Sequence, residues 1–332
     1  MKKVKIALMA LILALLVAFP LFDSNLYHQQ LMNQVFVNII VVMGLNFITG
    51  LTGQMNLGTA GIFALGAYGS ALTCTKLGTP VWLGFPIAIV IGFLIGRGLG
   101  YPSLRVKGVY LSLTTIGFSE VVRLILTNAI DFTGGSQGVQ NIPFLNLFGF
   151  EFNTPFKIYY LYFALTIIMA IAAARIVSSK WGRVFKAIRD NSDAVEACGI
   201  DVANLKILAF TMAAVYGCIG GFLYTHMMGY INPTAFNQDL SVNYLVMMMI
   251  GGIGSVAGNI LGAVMVTLLP EILRFMQNYY WLIFSIITLI FAVFLPYGIV
   301  SLFKKSERQE RHFDIFHSIK KAREIWGGRI AK

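Results

Sequence analysis

LMNQVFVNIIVVMGLNFIT (31–49) carries no charged side chain along its whole length. Coiled as an α-helix at 1.5 Å per residue, such a run covers about 28 Å, close to the ~30 Å hydrocarbon core of a bilayer. A helix also satisfies its backbone hydrogen bonds internally, which hydrocarbon demands. The run therefore reads as a membrane-crossing helix. Working outward, comparable runs lie at 6–22, 56–75, 81–100, 108–129, 158–177, 207–228, 241–256, 258–275 and 280–301. Gly251, Gly252 and Gly254 interrupt the 241–256 run, which reads as a short or broken helix. The fold class expected is all-α: a polytopic membrane helix bundle of about eight to ten crossings, occupying 1–303, with a basic tail at 304–332.

Composition agrees. Of the 332 residues, 57% are hydrophobic and only 12% charged, with mean hydropathy +0.75. A soluble domain averages about 25% charged residues, so much of this surface must face lipid. The net charge of +11 sits between apolar runs and at both ends, which marks cytoplasmic loops and not a nucleic-acid site. Cys74, Cys198 and Cys218 have no metal-ligand spacing and no disulfide pattern. The N-terminal MKKVKIALMALILALLVAFP resembles a signal peptide, but no clean small-x-small site follows, and it reads as a retained first helix.

Lys and Arg set the orientation. Lys2, Lys3 and Lys5 place the N-terminus inside. Arg97, Arg105 and Lys107 after the fourth run, and Lys180, Arg183, Lys186 and Arg189 after the sixth, fall inside by alternation. So does the tail, with Lys304, Lys305, Arg308, Arg311, Lys320, Lys321 and Arg323. The loops 23–30, 131–157 and 229–240, expected outside, hold Lys157 alone. Ten crossings with both termini in the cytoplasm satisfy every loop, and the inner membrane is the expected location. The tail is expected to be solvated or to lie against anionic lipid.

Gly92, Gly96 and Gly100 are four residues apart, as are Gly217 and Gly221, and Gly254, Gly258 and Gly262. Residues four apart share a helix face, and glycine there admits a neighbouring backbone. These are expected packing faces. GLTGQMNLGTAGIFALGAYGSAL (50–72) is different, because Gln54 and Asn56 add polar groups to a Gly-broken segment. Such backbone is tolerated at membrane depth where it faces protein or a water-filled cavity. GGIGSVAGNILGA (251–263) has the same texture in the other half, a hint of two halves around a pathway.

Glu120 and Arg123 lie within the 108–129 run at pairing distance along a helix. They read either as a polar patch on the substrate path or as an ion pair that orients the helix. With Gln54 and Asn56 they form the candidate translocation-path set. The inner loop GRVFKAIRDNSDAVEACGIDVANLK (182–206) is amphipathic, with Phe185, Ile188 and Val195 on one expected face, a break at Asn191 and a turn end at Gly199. Its apolar side is expected to lie on the membrane or in a partner's groove. Asp190, Asp193, Glu196 and Asp201 argue against anionic lipid as the main partner.

Over about residues 31–302 the sequence resembles the permease family of branched-chain amino-acid ABC importers, the LivM-like type. The blocks that carry the resemblance are 50–72, KGVYLSLTTIGFSEVVRLILTN (107–128), FTGGSQGVQNIP (132–143), the inner loop and SVNYLVMMMIGGIGSVAGNILGA (241–263). The resemblance implies that Glu196, Ala197 and Gly199 stand in the EAA loop, which docks on an ATPase, although EACG replaces the simplest EAA pattern. It extends the expected docking set to Gly182, Arg183, Ala187, Ile188, Arg189 and Asp190. It further implies a second, LivH-like permease, two cytoplasmic ATPase subunits and an extracytoplasmic substrate-binding protein docking on segments such as 131–157. The chain has no G-x-x-x-x-G-K-[ST] loop. It is therefore expected to bind no cofactor itself, with ATP used by its partners.

Two other classes compete. An ion-coupled transporter would need an ion site, and Glu120 is its one plausible centre. An enzyme finds no H-E-x-x-H or G-x-S-x-G, and His28, His226, His312 and His317 are scattered. His226 is expected to be a hydrogen-bonding residue and not a catalyst. Within the importer reading, urea, short amides and other amino acids stand beside leucine, isoleucine and valine.

Overall fold

A computed structural model describes residues 16–23, 25–106, 108–147, 150–274 and parts of 282–300. The N-terminal residues 1–15, most of the 280–301 run and the 304–332 tail lie outside these residues, as do the expectations placed on them.

The main helices among the described residues are α1 Leu26–Leu45, α2 Thr59–Lys76, α3 Gly84–Ser103, α4 Val109–Asn128, α5 Pro155–Ser178, α6 Lys180–Asp190, α7 Ser192–Ala197, α8 Val202–Met228, α9 Gln238–Gly251 and α10 Val256–Ile272. A π-helical turn, Asn46–Leu51, continues α1. Among the described residues, five helical stretches are long and apolar enough to cross a membrane: Leu26–Leu51, Val81–Ser103, Val109–Asn128, Pro155–Ser178 and Val202–Met228. The protein is thus a polytopic helical membrane bundle. Two-residue strands, Asn146–Leu147 and Phe150–Glu151, add a minimal antiparallel ladder in the 131–157 loop.

Local chemistry sets the helix ends. Asn25, Ser179, Asn191, Asp201, Asn237 and Ser255 each accept a first-turn N–H and start a helix. These are the side chains best suited to N-capping. Pro155, which lacks the N–H that would go unused there, opens α5.

Burial divides the helices into axis and rim. The most apolar 18-residue windows of Leu26–Leu51 and Val202–Met228 are mostly buried, whereas those of α3, α4 and α5 are mostly open. A helix apolar all round belongs in the middle. Accordingly α8 packs on α1, α2 and α3, and α1 packs on α5, α8 and α10.

Glycines set the spacing around α8. A Cβ on Gly92, Gly96 or Gly100 would lie 2.7, 2.5 or 3.1 Å from the Cα of Val215, Thr211 or Ile207. The order makes α3 and α8 antiparallel. Gly221 abuts the Phe63 carbonyl and Gly217 the Ile62 side chain, so α2 closes on the opposite face. Gly258 and Gly262 sit against the backbone of Gly251 and Met247 in an α9–α10 hairpin. Gly254 departs from the expected packing set: it occupies the turn between these helices at φ +80°, where a left-handed conformation and not close packing requires glycine.

Contacts across the bundle respect the expected sidedness. Tyr27 Oη, in a loop expected outside, donates at 2.6 Å to Glu271 Oε2, near the outer end expected for the 258–275 run, and the Lys76 ammonium donates to the Asp131 carbonyl, also on the side expected outside. Arg189 donates to the Gly50 carbonyl at 2.9 Å, joining segments expected inside.

Candidate functional site: a broken helix, a charged helix face and an inner knob

Between the π-helical turn and α2, residues 53–58 run without helical hydrogen bonds through the bundle. Unwound backbone at this depth needs protein partners, and two neighbouring helices supply them. Leu57 N–H donates to Thr115 Oγ1 at 3.0 Å, and Ser112 Oγ donates to the Met55 carbonyl at 3.3 Å, both from α4. Ala60 N–H donates to Ser241 Oγ at 2.9 Å and Gln238 Nε2 to the Leu57 carbonyl at 3.4 Å, both from α9. Gln54 and Asn56 are buried and locally engaged: Gln54 Nε2 donates to Thr52 Oγ1, and Asn56 Oδ1 accepts from Gly58 N–H.

Helix α4 turns Leu111, Ser112, Thr115, Ser119, Val122 and Leu126 into the bundle. Its other face, including Leu113, Val121, Leu124 and Ile125, is uncovered. At the flank of that face Arg123 grips Glu120 with a two-point fork, Nε–Oε2 2.9 Å and Nη2–Oε1 2.5 Å. The pair is open to its surroundings, with 27% of the Arg123 and 46% of the Glu120 side chain exposed. Among the described residues no hydrogen bond joins this pair to Gln54 or Asn56. The four candidate path residues therefore form two groups, one inside the bundle and one on its flank.

On the half expected to face outward, a cavity of about 320 Å³ lies between α1, α2, α8, α9 and the Pro233–Phe236 turn. Gln34, Phe63, Tyr224, Phe236, Leu240 and Tyr244 contribute to its wall. This volume is at the small end of small-molecule sites. No sequence motif announced it, because its aromatic residues come from three helices and a turn. Nearby, His226 Nδ1 lies 2.8 Å from the Pro143 carbonyl, and its ring meets Phe222 edge-on. It is a buried hydrogen-bonding residue that pins the outer loop to α8.

At the end of the bundle expected to face inward, α6 and α7 form a two-helix knob broken at Asn191, whose side chain caps α7. Phe185, Ile188 and Val195 are buried, which corrects the expectation of a lipid or partner groove for this apolar face. The knob lays that face on its own chain, against the π-helical turn and the neighbouring ends of α5 and α8. Gly182 and Ile188 are consequently buried and not presented outward. Arg183, Ala187, Asp190, Glu196, Ala197 and Gly199 remain exposed, together with Trp181 and Cys198. Gly199 closes the knob at φ +77° with open space around it. Arg189 is exposed too, but its guanidinium turns back to the Gly50 carbonyl on the bundle, a direction that spacing alone could not reveal.

Cys74 and Cys218 are buried, and no group of three potential metal-binding side chains occurs among the described residues.

Comparison with known proteins places these features in context. Residues 27–293 match the family described as branched-chain amino acid transport system / permease component. The high-affinity branched-chain amino acid transport system permease protein LivM of Salmonella typhimurium is 29% identical, over 90% of this chain and 76% of its own length. LivM of Escherichia coli gives the same identity and coverage. The ribose import permease protein RbsC of Haemophilus influenzae is 24% identical, over 87% of this chain and 90% of its own length. No solved structure matches.

Proposed function

Since the chain belongs to the branched-chain amino acid transport system / permease component family, we propose that it is the LivM-like subunit of an ATP-driven importer of leucine, isoleucine and valine. The observation that carries this reading is the inner knob: an apolar face fixed to the bundle and a charged, polar face left outward on the side of the basic loops. That arrangement suits a lever gripped by a soluble motor. Arg183, Ala187, Asp190, Glu196 and Ala197 form the gripped face, and two cytoplasmic ATPase subunits are the motor.

The uncovered face of α4 supports a second permease subunit, of the LivH type. A charged pair on a crossing helix is poorly suited to lipid. A partner helix over α4 would cover it and make Glu120 and Arg123 part of the path between subunits. The binding protein delivers substrate at the outer loops. The aromatic walls of the outer cavity suit an aliphatic side chain. ATP closure of the motor then moves the knob, and the packed helices rock between outward and inward openings. The chain itself performs no chemistry on its cargo.

The test is uptake by the complete complex, with its permease partner, ATPases and binding protein, in vesicles loaded with ATP. ATP-dependent uptake of labelled leucine, competed by isoleucine and valine and unaffected by proton and sodium ionophores, is expected. The similarity to a ribose permease favours one alternative cargo. Ribose uptake without leucine uptake would replace the substrate reading.

A further inference from the structure

The two Gly-broken segments meet at the inner end of the bundle, directly above the knob. Gly254 N–H, in the α9–α10 turn, donates to Asn46 Oδ1 in the π-helical turn at 2.8 Å. Arg189 of α6 reaches the same place: Nη1 donates to the Gly50 carbonyl at 2.9 Å. Its aliphatic stem passes over Gly53, where a Cβ would lie 2.7 Å from Arg189 Cγ. Gly53 holds φ +72°, at the point where the chain leaves the helix.

The chemistry of this contact is that of a helix end. The last carbonyls of a helix lack intrahelical donors and carry the negative end of the macrodipole. A guanidinium is a fitting cap for them, and its charge-assisted bond is stronger than a neutral one. Here the cap comes from another element. π-Helical turns are uncommon in helices and frequently mark functional positions. The carboxylate of Asp190 also faces the guanidinium, at 3.8 Å from Nε, so Arg189 sits between its neighbour on the knob and the carbonyl on the bundle.

We propose that Arg189 is the positioning residue that ties the knob to the interrupted end of α1, so that displacement of the knob is passed through the Gly50 carbonyl to the unwound 53–58 segment. This rests on the reading of the knob as the motor-driven element. It assigns Arg189 an inward, force-transmitting role in place of direct contact with the ATPase. Asn46 extends the tie to the α9–α10 turn, so both broken segments respond together.

The test uses the full complex in proteoliposomes, with Arg189→Gln and Arg189→Lys. The readouts are leucine imported per ATP hydrolysed and hydrogen exchange across residues 46–58. With Gln, ATP hydrolysis is expected to persist while import per ATP falls at least about tenfold, the scale of one lost charge-assisted hydrogen bond. Exchange in 46–58 should rise, and Lys, which keeps a charged donor, should restore part of both. Unchanged import per ATP, or unchanged protection of 46–58, overturns the proposal. If Gln prevents assembly, exchange is read on the full-length permease alone, and unchanged protection again overturns it. A wild-type complex in which ATP hydrolysis drives no import defeats the motor reading of the knob and this proposal together. Import by wild type with an indifferent Arg189→Gln defeats this proposal alone.

Discussion

Glu120 and Arg123 present the clearest residue-scale question, because two opposite charges sit on an open flank of a crossing helix. Each neutralises the other, and removing one leaves a bare charge that costs about 3 kcal/mol or more near the bilayer centre. Glu120→Gln and Arg123→Gln should each lower both the yield of assembled permease and uptake. The exchange variant, Glu120→Arg with Arg123→Glu, should recover much of the yield. Quantitative immunodetection in membranes, beside transport rates, checks this. Recovery of yield without recovery of uptake would place the pair on the path in its native order. The pairing itself was readable from an i, i+3 spacing. The stitching of the unwound segment by Ser112, Thr115 and Ser241 was not, because a serine or threonine in a helix looks alike whether it bonds its own turn or a distant backbone. The inward turn of Arg189 was hidden for the same reason: its acceptor lies far away in sequence, on Gly50.

At the scale of elements, α6 is an amphipathic helix whose apolar side is consumed within the chain. Truncating Phe185, fully buried on that side, to alanine should cost about 3–5 kcal/mol of local stability. The knob should then detach while the crossing helices stay folded. Limited proteolysis from the cytoplasmic side would show new cleavage within 180–200, with the membrane fragments intact. The α3–α8 contact predicts a different failure. Gly96→Leu forces a side chain against the Thr211 backbone, and overpacking of this kind costs about 1–3 kcal/mol or more. A lower thermal midpoint of the detergent-solubilised protein checks it. The four-residue glycine spacing foretold this seam. The same spacing placed Gly254 on a seam it does not join, since a periodic pattern cannot separate a helical glycine from one in a left-handed turn. Likewise, periodicity found the apolar stripe of α6 but could not say whether lipid, a partner or the chain itself would cover it.

For the molecule as a whole, the alternation of basic and nearly uncharged loops carries the orientation, and the bonds from Tyr27 to Glu271 and from Arg189 to Gly50 join only segments assigned to the same side. Most of the architecture was legible because lipid imposes length and charge rules that a sequence displays directly. The site was less legible, because it is made where helices from distant parts of the chain meet. The central claim is that the knob at 180–199 faces the cytoplasm, within reach of a soluble motor. Cys198 is the exposed one of the three cysteines, the other two being buried, so the native chain carries its own reporter. A membrane-impermeant maleimide applied to intact spheroplasts should leave Cys198 unlabelled, and the same reagent should label it in inverted membrane vesicles stripped of peripheral proteins. Labelling of Cys198 from the outer side of intact spheroplasts would contradict the account.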